Sequence, residues 1–194
     1  MSFRYATQKL STGLYEPEGI YLQKPFEGEG SVIQGWGEHA HEYSEYRYNG
    51  IPLKGHNGLD FKIEIHAHIL AADEGRVIEV GWERGGFERY IKVEHRWGES
   101  FYAFLGEVLV DSGQLITRGA AIATPNGSQQ SAPFFHFAIR VEPFNRLDGY
   151  GGFTDPTPFL NSIDVLEDEM AVESQMESGW IHPMLHEKTV MRRP

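Results

Sequence analysis

Apolar and polar positions alternate along the middle of this chain. FKIEI at 61–65 alternates strictly, and RVIEV at 76–80 and YIKVEH at 90–95 do so nearly; SFYAFL at 100–105, QLI at 114–116, AIA at 121–123 and FFHFAIRV at 134–141 follow. A period of two sends successive side chains to opposite faces of an extended backbone, so each segment is predicted to be a strand. Turn residues separate them: Asp73-Glu74-Gly75, Gly85-Gly86, Trp97-Gly98, Gly119 and Pro125-Asn126-Gly127. Short strands at close spacing, with no long amphipathic helix among them, predict an all-β domain over residues 20–160, a compact antiparallel β-sheet or sandwich.

The flanks read differently. Residues 1–19 form a polar leader with an expected turn at Pro17-Glu18-Gly19. In the extension 161–194, the stretch 164–177 carries six acidic residues and no Lys or Arg, interleaved with Leu166, Met170 and Met176, a mixture compatible with a surface helix. Trp180, Met184, Leu185 and Met191 then make an apolar tail, expected to dock on its own domain, to join copies as a homo-oligomer, or to be disordered.

Composition narrows the function. With 194 residues, 40% of them hydrophobic, the chain is long enough for one domain plus extensions. A net charge of −11 repels a phosphate backbone, which argues against general nucleic-acid binding. No apolar run reaches the ~18 residues of a membrane span, and the first residues lack the apolar core of a signal peptide, so a cytoplasmic location stays open. There is no cysteine, so any metal must be held by His, Asp or Glu.

Two segments carry candidate chemistry. Gly55-His56-Asn57-Gly58-Leu59-Asp60 lies in front of FKIEI and, between Pro52 and Gly58, reads as a turn leading into a strand. His56 and Asp60 could converge there on one cation, or be merely structural. In the FFHFAIRV strand, His136 shares its face with Phe134 and Ala138 while Phe135, Phe137 and Ile139 point the other way; its alternative is a buried, hydrogen-bonded histidine.

In order, GHNGLDF, ILAADEGRVIEVGW, YIKVEHRWGESFYAFL, SGQLITRGAAIA, FFHFAIR and DPTPFL resemble the lysostaphin and LytM type of zinc metallopeptidase, collinearly across residues 20–160. The resemblance implies an antiparallel β domain of the duplicated hybrid motif with an open groove, and cleavage of cross-bridges or stem peptides of bacterial peptidoglycan. It also implies one zinc ion held by His56, Asp60 and His136, with a fourth position for water. A cell-envelope or phage-particle location follows from the same likeness.

Two departures bear on activity. Active relatives have histidine where this chain has Phe104 and Phe134, and a phenyl ring neither takes up a proton nor donates a conventional hydrogen bond. Losing a general base costs ~10²–10⁴ in rate and losing an oxyanion donor ~10²–10³, not necessarily multiplied. Ala138, where the family often has glutamate, concerns groove polarity. The leading expectation is therefore a catalytically impaired domain that retains zinc and binds peptidoglycan peptide or a protein partner. The alternative is an active zinc metalloendopeptidase with substitute groups from His39, His41, Tyr43, Tyr46 or Tyr102.

Other residues read as structure. His66 and His68 fall where the family has a turn, His95 fits a strand position, and His182 and His186 lie in the tail. Trp36, Tyr43, Tyr46 and Tyr48 either stack on a ligand or pack a long loop. A third class stays open: ADEGRVIEV with SGQLITRGAAIA also resembles the hairpins of lipoyl-like carriers and of a sugar-phosphotransferase domain. The carrier reading lacks its lysine, and Phe134 removes one of the paired histidines that phosphotransfer requires.

Overall fold

The computed structural model describes residues 7–9, 15–17, 20–48, 50–84, 86–128 and 131–160. Its elements run β1 (Thr7–Lys9), β2 (Tyr15–Pro17), β3 (Gly30–Gln34), α1 (Ala40–Tyr43), β4 (Arg47–Tyr48), β5 (Ile51–Pro52), β6 (Leu59–Ile63) and β7 (Ile69–Leu70). They continue with β8 (Gly75–Glu83), β9 (Glu88–His95), β10 (Gly98–Ala103), β11 (Leu105–Val108), β12 (Leu115–Ile116), β13 (Ala121–Ser128) and β14 (Ser131–Val141). The fold is all-β and its pairings are antiparallel, in keeping with the alternation of the sequence. β1 pairs with β2, and β4 with β5, in separate two-stranded ribbons.

β14 is the axis. One edge bonds β10 along 136–141 and β13 at Phe134, while the other edge bonds β6 from Phe134 to Phe137; β3 lies beyond β6, and β9, β8 and β12 lie beyond β10. Phe135, Phe137 and Ile139 enter the main core, with Phe61 stacked on Phe135 at 5.5 Å and Tyr102 tilted on Phe137 at 5.2 Å. Each such side chain contributes about 1.5–3 kcal/mol on burial. The opposite face carries Phe134, His136, Ala138 and Arg140, and a smaller cluster of Phe101, Ala103, Ala138 and Phe153 packs there. Arg140 is satisfied within it, donating to the Gly151 carbonyl at 3.0 Å, to Glu99 at 2.9 Å and to the Tyr48 hydroxyl.

A second polar network joins turns at the far end of the sheet. Buried Asp73 accepts from Trp97 Nε1 at 2.8 Å, from Arg118 Nη2 at 2.8 Å and from the Glu74 N–H at 2.9 Å. Trp97 stacks on His95 at 4.6 Å; His95 Nδ1 donates to the Glu74 carbonyl at 2.7 Å and its Nε2 meets the Ser100 hydroxyl at 2.7 Å.

Two local expectations change. The strand around FKIEI is Leu59–Ile63, two residues earlier, because its register is set by β14 and pairs Asp60 with His136. Pro125-Asn126-Gly127 is not a turn: β13 runs through it and Asn126 pairs with Phe134, so tertiary pairing overrides local turn chemistry. The expected turn at Glu18-Gly19, Gly85, and all readings of 161–194 with His182 and His186 lie outside the described residues.

Candidate metal centre

His56 is fixed before it reaches any partner. Its N–H donates to the Glu38 carbonyl at 2.9 Å, its carbonyl accepts from the Gly37 N–H at 2.8 Å, and its Nδ1 donates to the Gly35 carbonyl at 3.0 Å. Gly55 is what allows this approach, since a Cβ there would stand 2.5 Å from the Gly37 carbonyl oxygen. Gly58 does the same for the other histidine: an added Cβ would lie 2.5 Å from His136 Cε1 and 2.6 Å from the Phe137 carbonyl oxygen.

Asp60 and His136 are cross-strand partners, so their side chains share a face. Asp60 Oδ1 lies 2.8 Å from His136 Nδ1 and 3.1 Å from His56 Nε2, and the two nitrogens are 3.1 Å apart. Ligands at zinc distances around one tetrahedral ion stand ~3.3–3.5 Å apart, so a small outward adjustment would admit the ion. These three are the one such group of potential ligands among the described residues.

The protonation pattern fits a cation as well. A carbonyl only accepts, so His56 carries its proton on Nδ1 and turns the Nε2 lone pair inward. Burial pushes the Asp60 carboxyl up, but the hydrogen bonds and charges of His136 and His56 outweigh it and hold the group at about 2. Burial depresses His136 against the opposing pull of Asp60. The centre thus gathers one carboxylate oxygen and two imidazole nitrogens, a hard and borderline donor set suited to zinc. His136 Nε2 is buried without a partner, so the orienting acceptor that commonly fixes a ligating imidazole is missing on this ring.

Around the centre the surfaces are aromatic. Phe104 and Phe134 lie against each other at 5.3 Å, and Phe104 sits at φ 57°, a strained backbone for a bulky side chain. Phe87 and Phe101 approach the His136 ring at 5.7 and 6.3 Å. Tyr43 tilts on His56 at 5.5 Å, and its hydroxyl accepts from Gln34 Nε2 at 3.2 Å. Burial first, and the charge of Asp60 second, push the Tyr43 hydroxyl up to about 12, so it keeps its proton.

The other expected groove residues separate. Tyr102 is corrected: its pairing with Phe137 turns it into the core, fully buried, where its oxygen accepts from the Ala72 N–H at 2.8 Å. His39 and His41 are exposed; His39 stands 3.5 Å from Glu42, and neither joins the metal group. Tyr46 is exposed, and its ring lies 6.0 Å from that of Tyr43. Trp36 stacks on Tyr150 at 4.6 Å, and Tyr48 is engaged by Arg140. His68 bonds Glu27 at 2.8 Å, an exposed structural pair. The Gly35 carbonyl, Gln34 and Phe87 were not legible in the sequence, because no spacing rule connects them to His56, Tyr43 and His136, which lie 21, 9 and 49 positions away.

Comparison with known proteins gives a family and a fold match. Residues 54–148 match the model of peptidase family M23. An uncharacterized metalloprotease of Haemophilus influenzae is 26% identical over 141 residues, 71% of this chain and 29% of that protein. The peptidoglycan DD-endopeptidase ShyB of Vibrio cholerae is 33% identical over 88 residues, 44% of this chain and 20% of that protein. The chain therefore spans well under half the length of these relatives. The catalytic domain of the antimicrobial peptidase lysostaphin from Staphylococcus simulans superposes with a TM-score of 0.50 at 27% identity, over 67% of this chain and 92% of that one. Residues 54–148 are a peptidase family M23 domain, and the fold is of the lysostaphin type.

Proposed function

We propose that this domain holds one zinc ion at His56 Nε2, Asp60 Oδ1 and His136 Nδ1 and uses the site to bind peptidoglycan peptide with little hydrolysis. The observation that carries the reading is the contact of Phe104 with Phe134 on the face that bears His136. Two apolar rings stand where the family resemblance places the groups that move protons. Bound zinc would supply a positive centre that polarises a peptide carbonyl. The two imidazoles and the carboxylate orient that centre, and Phe104 and Phe134 neither accept a proton from water nor stabilise an oxyanion. The substrate class comes from the relatives, one of which is named as a peptidoglycan endopeptidase. Among the described residues no helix is long and apolar enough to cross a membrane.

Tyr43 supports a second reading. Its protonated hydroxyl flanks the centre, and a donor there could partly replace a missing histidine in an active endopeptidase. One experiment separates the two: cleavage of peptidoglycan stem and cross-bridge peptides by zinc-loaded wild type, Phe104→His with Phe134→His, and Tyr43→Phe. The binding reading expects a wild type at least ~10²-fold slower than the double variant. Wild-type cleavage as fast as the double variant, abolished in Tyr43→Phe, would establish the second reading instead.

A further inference from the structure

The geometry points to Phe87 as the gate of the metal centre, a residue that decides which ligands reach it; this rests on the metal-binding reading above. His56 and His136 are 2% exposed and Asp60 9%, so the ligand atoms lie largely beneath neighbouring side chains. The rings against His136 are His56, Phe87 and Phe101, and of these only Phe87, at the tip of the β8–β9 hairpin, is partly open to solvent. On the other side Tyr43, also half-buried, covers His56.

These two covers are held differently. The Tyr43 hydroxyl is bonded to Gln34, and its N–H donates to the His39 carbonyl at 3.0 Å within α1. The Phe87 ring is held by ring contacts alone, edge-on to Phe101 at 4.7 Å and tilted on His136. Swinging Phe87 about its side-chain bonds therefore breaks no hydrogen bond.

The backbone beneath it is built to stay while the ring moves. The Phe87 carbonyl accepts from the Phe104 N–H at 3.1 Å, and Glu88 Oε2 accepts from Asn126 Nδ2 at 3.2 Å, which fastens the hairpin tip to the junction of β10 and β11 and to β13. Glu88 and Phe104 are both at positive φ, 53° and 57°, and the remaining non-glycine residue of this kind among those described is His39, beside the Glu38 carbonyl that holds His56. Strained backbone positions thus border the same centre, as they do at sites whose geometry is over-determined by function.

The test uses the zinc-loaded full chain and follows zinc transfer to excess dipicolinate, together with equilibrium zinc affinity, in wild type, Phe87→Ala and Phe87→Leu. A gate changes loading and removal by the same factor, so Phe87→Ala should exchange zinc roughly tenfold or more faster at unchanged affinity, with Phe87→Leu between it and wild type. Zinc bound with equal exchange rates in wild type and Phe87→Ala overturns the gate alone, as does faster exchange accompanied by an equal loss of affinity. Absence of stoichiometric zinc in every variant overturns the metal-site reading and the gate with it.

Discussion

At the scale of single residues, the centre depends as much on missing side chains as on present ones. Gly58 packs under the His136 ring, and the Phe137 carbonyl on its other side belongs to β14 and does not yield. Gly58→Ala should therefore displace the imidazole, weakening zinc binding ~10–100-fold, as the loss of an orienting neighbour does. Overpacking would add about 1–3 kcal/mol of destabilisation. Zinc titration calorimetry beside far-ultraviolet circular dichroism checks this, and unchanged affinity in a folded variant would show that His136 is not a ligand. Tyr43 is the complementary case. It keeps its proton and its place through Gln34, so Tyr43→Phe should leave zinc affinity unaltered while lowering the affinity for a metal-bound carboxylate such as acetate.

At the scale of elements, the Asp73 network ties the turn before β8, the hairpin between β9 and β10 and the segment after β12 into one unit. Burial raises the Asp73 carboxyl, and the bonds from Trp97, Arg118 and the Glu74 N–H more than reverse this, leaving it below the ordinary range. Asp73→Ala would strand the buried Trp97 N–H, a loss of about 2–3 kcal/mol. Arg118 adds little because it is partly exposed. At about 2–4 °C per kcal/mol for a chain of this size, the midpoint should fall by roughly 5–10 °C, and by much less in Arg118→Ala. Calorimetry decides; similar midpoints for Asp73→Ala and wild type would contradict the role given to the network.

Across the whole molecule, the buried histidines set the response to acid. Burial lowers the folded pKa of His95, partly offset by its bond to the Glu74 carbonyl, and burial lowers His136 likewise. The unfolded chain therefore takes up these protons first as pH falls below about 6.5, and stability is lost from there down to the folded values. Asp60 and Asp73 act in a lower window. Their folded pKa values are depressed, to about 2 for Asp60, so their contribution is present above pH ~4 and lost as pH falls through the folded values. Metal-free protein should show a midpoint that declines below about pH 6.5 and more steeply below about pH 4. A flat midpoint between pH 7 and 5 would contradict the histidine assignment. Zinc at a hundredfold excess over its dissociation constant should add about 2.7 kcal/mol at neutral pH. That gain should vanish on acidification, because the ligands must be deprotonated to bind.

How far the sequence reaches is set by the range of its signals. Alternation along β14 assigned Phe135, Phe137 and Ile139 to one face and Phe134, His136 and Ala138 to the other, because side-chain direction in a strand is a local property. The grouping of His56, Asp60 and His136 came from the resemblance of the ordered segments, and two histidines with one carboxylate suit zinc. Register was not. Which residue of β6 faces His136 depends on pairing between segments about 76 positions apart, and that pairing brings Asp60 to 2.8 Å of it. The same long-range choice turned Tyr102 into the core, drew Pro125-Asn126-Gly127 into a strand, placed the Gly35 carbonyl on His56 and laid Phe87 over His136. Periodicity tells a residue which way it faces; only packing between distant segments decides what it meets there.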